Sequence, residues 1–191
     1  MAKEKQKIWN VPNVLTMIRA LLIPVYWVVF MQGHHYTALA IFVAASLTDL
    51  ADGYIARKYD LVTDFGKLMD PLADKLMVIS VMLSLALKGM APWAALAILL
   101  CKEAIMVLGG AILLKKGVVV YAIWIGKAAQ ATAVCGLILC FFGDYFSSVG
   151  FPLHLIVIWC AVALTLAALV IYGKSAVEKY RAAKREEGPG K

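Results

Sequence analysis

Apolar segments long enough to cross a bilayer recur from residue 14 to residue 172 of this 191-residue chain, separated by short polar connections. In hydrocarbon there is no water to satisfy a backbone N–H or C=O, so segments of that kind close their hydrogen bonds internally, as helices. About 20 apolar residues carry one helix across the core. Composition agrees: 63% of residues are hydrophobic and 16% charged, against about 45–50% and about 25% in ordinary soluble domains. A soluble core built from this chain would leave large apolar patches in water. The expectation is an all-α polytopic membrane protein with six spans, near residues 13–32, 36–57, 66–88, 92–114, 119–143 and 149–172. Residues 1–12, with Ile8, Trp9 and Val11 beside Lys3, Lys5 and Lys7, read as a short interfacial helix or a frayed charged terminus. Residues 173–191 read as a basic tail, partly disordered, ending in Gly-Pro-Gly-Lys. A cleaved leader is not expected, because the first apolar stretch contains Arg19 and runs too long.

The net charge of +7 is unevenly placed. The connections holding His34-His35, Lys88–Pro92 and Gly143-Asp144 carry a single Lys between them. Both termini, Arg57-Lys58 and Lys115-Lys116 fall on the other side. Positive residues favour the cytoplasmic side, which places the termini and the Asp-rich ends of spans two and three there, in a multi-pass protein of the cell membrane. Because the basic residues flank spans and form no single basic face, anionic membrane lipids are the expected partner and nucleic acid is not. Cys101, Cys135, Cys140 and Cys160 all lie in apolar spans without metal-ligand spacing and read as small hydrophobes. The His34-His35 pair reads as loop surface.

Against this background the acids stand out. Six of the twelve lie between positions 49 and 74, and Asp49, Asp52, Asp70 and Asp74 fall in otherwise apolar stretches. Each ionised carboxylate at mid-bilayer depth costs about 2.5–3.5 kcal/mol on insertion scales. Four together approach a whole domain's net stability of about 5–15 kcal/mol, so something must compensate them. At 100° per residue Asp49, Asp52, Gly53 and Ala56 share one stripe of span two. Gly66, Asp70 and Asp74 are four apart and form one ridge of span three, with Lys67 on the same side. Two antiparallel neighbours joined by a short loop can face these stripes across one cleft. Salt bridges to Arg19, Arg57, Lys67 and Lys75 could compensate single acids. For four converging carboxylates two divalent cations would balance the charge. Oxygen-only donors favour Mg2+, Mn2+ or Ca2+ over Zn2+, and such a pair suits in-line phosphoryl displacement. Arg57 offers a fork for phosphate, and Pro71 should kink span three. Asp60 and Asp64 read as loop or helix-capping acids.

The run Asp49-x2-Asp52-Gly53-x2-Ala56-Arg57-x8-Gly66-x3-Asp70-x3-Asp74 resembles the signature of the CDP-alcohol phosphotransferase (phosphatidyltransferase) family at all eight defined positions. Asn13-Val14-Leu15-Thr16-Met17-Ile18-Arg19, with Pro24 beyond it, resembles the bacterial branch that makes phosphatidylglycerophosphate from CDP-diacylglycerol and glycerol 3-phosphate. The resemblance implies that residues 13–172 are a six-helix catalytic domain. It implies that Asp49, Asp52, Asp70 and Asp74 hold two divalent cations, Mg2+ or Mn2+, with Asp74 also the general base. Asp52, Gly53, Ala56, Arg57 and Gly66 would bind the CDP moiety. A homodimer is likewise implied.

The acceptor, a small phosphorylated alcohol in that reading, would need cations, and Arg19, Lys67, Lys102 and Lys127 are the candidates for its phosphate. Each could instead snorkel toward headgroups. Lys127, after Gly126, should point inward if Gly126 packs against a neighbour. The branch usually carries Arg-Glu where this chain has Lys102-Glu103, and a differently spaced Thr and Gln after Gly126-Lys127. Phosphatidylglycerol or an inositol-type alcohol are therefore alternative acceptors. A cation transporter using the acids as an ion path is the alternative of another class, disfavoured by their confinement to two adjacent spans.

Overall fold

The computed structural model describes residues 11–58, 64–115 and 124–186; the side chains of residues 11–12, 50–57, 64–68, 71, 114–115 and 182–186 lie outside that description. Every described element is helical: α1 (Val11–Met31), α2 (His35–Lys58), α3 (Asp64–Leu87), α4 (Trp93–Lys115), α5 (Trp124–Cys140), α6 (Gly143–Ser148) and α7 (Leu153–Glu186). Among the described residues three stretches are long and apolar enough to cross a membrane, Asn13–Met31, Trp93–Leu113 and Leu153–Arg181, and Trp124–Cys140 is a shorter apolar helix. At 24 residues each, α2 and α3 match them in length. The segment expected to form an interfacial helix lies outside the described residues save for Val11 and Pro12, which open α1.

Two compact units divide the chain, Met1–Lys88 and Gly89–Lys191. In the first, α1 packs on both α2 and α3. The inward stripes follow helical periodicity: Tyr26 and Phe30 on α1, Ala38, Phe42 and Ala45 on α2, and Ala73, Met77, Val81 and Leu85 on α3 are all buried. Tyr26 and Ser84 share a buried hydroxyl–hydroxyl hydrogen bond of 2.6 Å, and Ser84 also donates to the Val81 carbonyl. Pro24 sits inside α1, tolerated as prolines in membrane helices commonly are. α3 is helical from Asp64 through Leu87, across Pro71.

The turn after α1 is a Schellman motif. Gly33 takes φ 86°, its N–H donates to Phe30 O at 3.1 Å, and His34 N–H donates to Val29 O at 3.2 Å. This satisfies two of the carbonyls the helix end leaves open, in a conformation only glycine adopts at little cost. His35 starts α2 and packs on the Phe30 ring at 4.8 Å between centroids, so it is more than loop surface.

In the second unit α4, α5 and α6 all pack on α7. α5 lies tight against α7 at Gly136, where an added Cβ would stand 2.8 Å from Ile158 Cδ1 and 3.3 Å from the Ile158 backbone N. Two features differ from expectation. A short helix, α6, with Asp144 in its first turn, fills part of the expected fifth connection, ending at Gly150 (φ 74°) in a second Schellman pair of bonds. And α7 continues for 34 residues to Glu186, through most of the expected tail. The residues there, among them Ala176, Glu178, Lys179, Arg181, Ala182 and Lys184, are strong helix formers. At 1.5 Å per residue such a helix is about 50 Å long, well beyond the roughly 30 Å hydrocarbon core.

Candidate functional site

The buried stripes of α1, α2 and α3 turn polar toward one end of their unit. On α1 the apolar face of Tyr26 and Phe30 gives way to Arg19, Thr16 and Asn13, spaced three apart and all buried. On α2 the stripe Ala38, Phe42, Ala45 reaches Asp49 at the next helical return. On α3 Ala73 and Met77 lead back to Asp70 and Asp74, both half-buried. The chain alternates direction, so the start of α1, the end of α2 and the start of α3 share this polar end.

Two side-chain contacts knit it together. Arg19 Nη1 lies 2.7 Å from Asp49 Oδ1, with Arg19 1% and Asp49 35% exposed. The guanidinium is thus taken wholly out of solvent and the carboxylate opens outward, available to a ligand. A buried arginine needs a counter-charge to offset its desolvation, and Asp49 supplies it. Thr16 Oγ1 donates to Asp70 Oδ1, joining α1 to α3. One carboxylate of α2 and one of α3 thus contact the same ridge of α1.

Of the remaining predicted residues, Asp52, Gly53, Ala56 and Arg57 lie on α2 downstream of Asp49, and Gly66 and Lys67 on α3 upstream of Asp70; their side chains are outside the described residues. Asp64 opens α3 and Asp60 is outside the described residues. Among the described residues no three His, Cys, Asp or Glu side chains converge as a metal-binding group. Asp49 and Asp70 nonetheless offer the right chemistry for a hard divalent ion, being charged oxygen donors on two helices that both pack on α1.

The basic candidates are placed differently from one another. Arg19 is committed to Asp49. In the second unit Lys102 pairs with its neighbour Glu103, both largely buried. Lys127 is exposed, with Nζ 5.6 Å from the Trp124 ring centroid. Its expected inward orientation depended on Gly126 packing closely, and no described atom comes within 4 Å of a Cβ built there. A small residue without a neighbour imposes no direction on the one that follows.

Sequence reasoning missed Thr16 and Asn13 as buried parts of this end. The signal was present: Asn13, Thr16 and Arg19 recur every three residues in an otherwise apolar helix, which makes one polar ridge.

Comparison with known proteins points the same way. The sequence model of the CDP-alcohol phosphatidyltransferase family matches residues 9–167. The chain is 33% identical over 178 residues to a Bacillus subtilis protein named CDP-diacylglycerol–glycerol-3-phosphate 3-phosphatidyltransferase, covering 84% of this chain and 91% of that one. It is 32% identical over 180 residues to a probable phosphatidylglycerophosphate synthase of Mycobacterium tuberculosis, covering 88% and 82%. A Rickettsia typhi protein named as the Bacillus one is 51% identical over 72 residues, 36% of this chain and 40% of that one.

Proposed function

The chain belongs to the CDP-alcohol phosphatidyltransferase family, and from that premise we propose that it transfers the phosphatidyl group of CDP-diacylglycerol to a hydroxyl of glycerol 3-phosphate, giving phosphatidylglycerophosphate and CMP. The observation that carries this reading is the meeting of signature acids from α2 and α3 against the buried polar ridge of α1. The names of the Bacillus and Mycobacterium relatives support glycerol 3-phosphate as acceptor. Family membership sets aside the ion-path alternative.

In this reading Asp49, Asp52, Asp70 and Asp74 would hold two divalent cations, Mg2+ or Mn2+, which would supply charge stabilisation for the pyrophosphate of the donor. Asp52, Gly53, Ala56, Arg57 and Gly66 bind the CDP moiety, the small residues letting it approach the backbone and Arg57 pairing with phosphate. Asp74, one helical turn beyond Asp70, accepts the proton of the acceptor hydroxyl. The freed oxygen forms a bond to the phosphorus that carries diacylglycerol. The bond from that phosphorus to the bridging pyrophosphate oxygen breaks, and CMP leaves with the electron pair.

For the acceptor phosphate Arg19, Lys67, Lys102 and Lys127 are candidates taken singly, with Arg19 the weakest because it is buried against Asp49. The pairing of Lys102 with Glu103 favours keeping a second acceptor in view, phosphatidylglycerol or an inositol-type alcohol, because a lysine already neutralised is a weaker phosphate ligand. The remaining parts of the reading are six spans, the polar end of α1–α3 facing the cytoplasm beside anionic lipids, and assembly as a homodimer. The test is an acceptor screen. Protein in liposomes with CDP-diacylglycerol and Mg2+ or Mn2+ should release CMP with glycerol 3-phosphate. Release with another alcohol alone reassigns the acceptor, and release with none refutes transferase activity of this site.

A further inference from the structure

We propose that Thr16 is a positioning residue for the metal-holding carboxylates, with Arg19 as its counterpart. α1 contributes no acid to the site, yet it orients one acid on each neighbouring helix: Asp70 through Thr16 and Asp49 through Arg19. The proposal rests on Asp49 and Asp70 being metal ligands, as read above.

Five other Ser and Thr hydroxyls among the described residues behave differently from Thr16. Ser46 donates to Phe42 O, Thr48 to Ala45 O, Thr132 to Ala128 O, Ser147 to Gly143 O and Ser148 to Tyr145 O. Each returns its proton to a carbonyl of its own chain three or four residues back, the ordinary fate of Ser and Thr in helices. Thr16 instead donates across the unit to the carboxylate of a residue 54 positions away, from a site only 1% exposed.

That donation has a geometric consequence. An ionised carboxylate has about four acceptor directions on two oxygens. A donor on Oδ1 occupies one direction and limits rotation of the group, which fixes where the others point. Partners of this kind hold ligand groups in place for metals generally, and their loss typically costs about 10–100-fold in metal affinity. Arg19, three residues on and on the same face, acts on Oδ1 of Asp49 at 2.7 Å. One ridge of α1 thereby registers α2 against α3 at the point where their acids must meet a shared ligand.

The test reads metal binding directly. Mn2+ affinity of the purified protein in detergent is measured by electron paramagnetic resonance of free Mn2+, without substrate, for wild type, Thr16→Val, Thr16→Ser and Asp70→Asn. Thr16→Val should bind Mn2+ about 10–100-fold more weakly. Thr16→Ser, which keeps the donor, should stay within about threefold of wild type. In transfer assays Thr16→Val should need correspondingly more Mn2+ and regain most of its kcat when saturated. Equal Mn2+ affinity in wild type and Thr16→Val overturns the proposal. Should Thr16→Val fail to fold, judged by melting in EDTA, Thr16→Cys keeps the small volume and loses the strong donor, and the same two outcomes apply to it. Asp70→Asn separates the two claims: undiminished binding there refutes Asp70 as a ligand. Loss there with none in Thr16→Val refutes only the role of Thr16.

Discussion

Arg19 and Asp49 meet across α1 and α2 at 2.7 Å, the guanidinium buried and the carboxylate a third exposed. The pair gives Asp49 a charge partner while leaving it partly exposed. Arg19→Met should therefore lower stability by about 1–3 kcal/mol, the range for leaving a partly buried polar group without its partner. Thermal melting in detergent checks this. A cycle with Asp49→Asn should show coupling of about 1 kcal/mol or more.

A different bond closes the apolar end of the same unit. Tyr26 and Ser84 share a buried hydrogen bond of 2.6 Å. Tyr26→Phe should cost about 0.5–1.5 kcal/mol. Transfer activity should persist, because neither residue lies among the acids. Melting temperature and initial rate, measured on one preparation, separate the two effects.

The contact of α5 with α7 depends on Gly136. Leucine there would collide with Ile158, whose backbone N would lie 3.3 Å from the new Cβ. Overpacking of this kind costs about 1–3 kcal/mol. Gly136→Leu should lower the melting temperature, and Ile158→Ala in the same chain should recover part of the loss by removing the side chain met first.

Much of this was legible in the sequence, for identifiable reasons. Fixed angular spacing puts Asp49 in register with the buried stripe of α2 and Asp70 and Asp74 in register with that of α3, so that much could be read before any coordinates. Which partner each acid takes could not. Arg19 read equally well as a phosphate ligand or as a counter-charge, because periodicity says that it faces inward and not whom it meets. The Thr16–Asp70 contact joins residues 54 apart, and only the packing of α1 against α3 decides it. How far the last helix runs beyond residue 172 was not legible in polarity alone; its helix-forming Ala, Glu, Lys and Arg residues carry it to Glu186.

Metal dependence follows from the proposed oxygen-only donor set. Chelation with EDTA should abolish CMP release, and Mg2+ or Mn2+ should restore it. CMP formation followed by chromatography checks this. Full activity in excess chelator would contradict the proposed metal dependence.

The most direct test combines acceptor and base in one assay. Liposomes holding the protein and CDP-diacylglycerol, with Mg2+ and radiolabelled glycerol 3-phosphate, should transfer label into the lipid phase as CMP appears in equal amount. Asp74→Asn should reduce that rate by about 10²–10⁴-fold, the contribution expected of a general base. Label that stays in the aqueous phase with wild-type protein, or a rate unchanged in Asp74→Asn, would contradict the account.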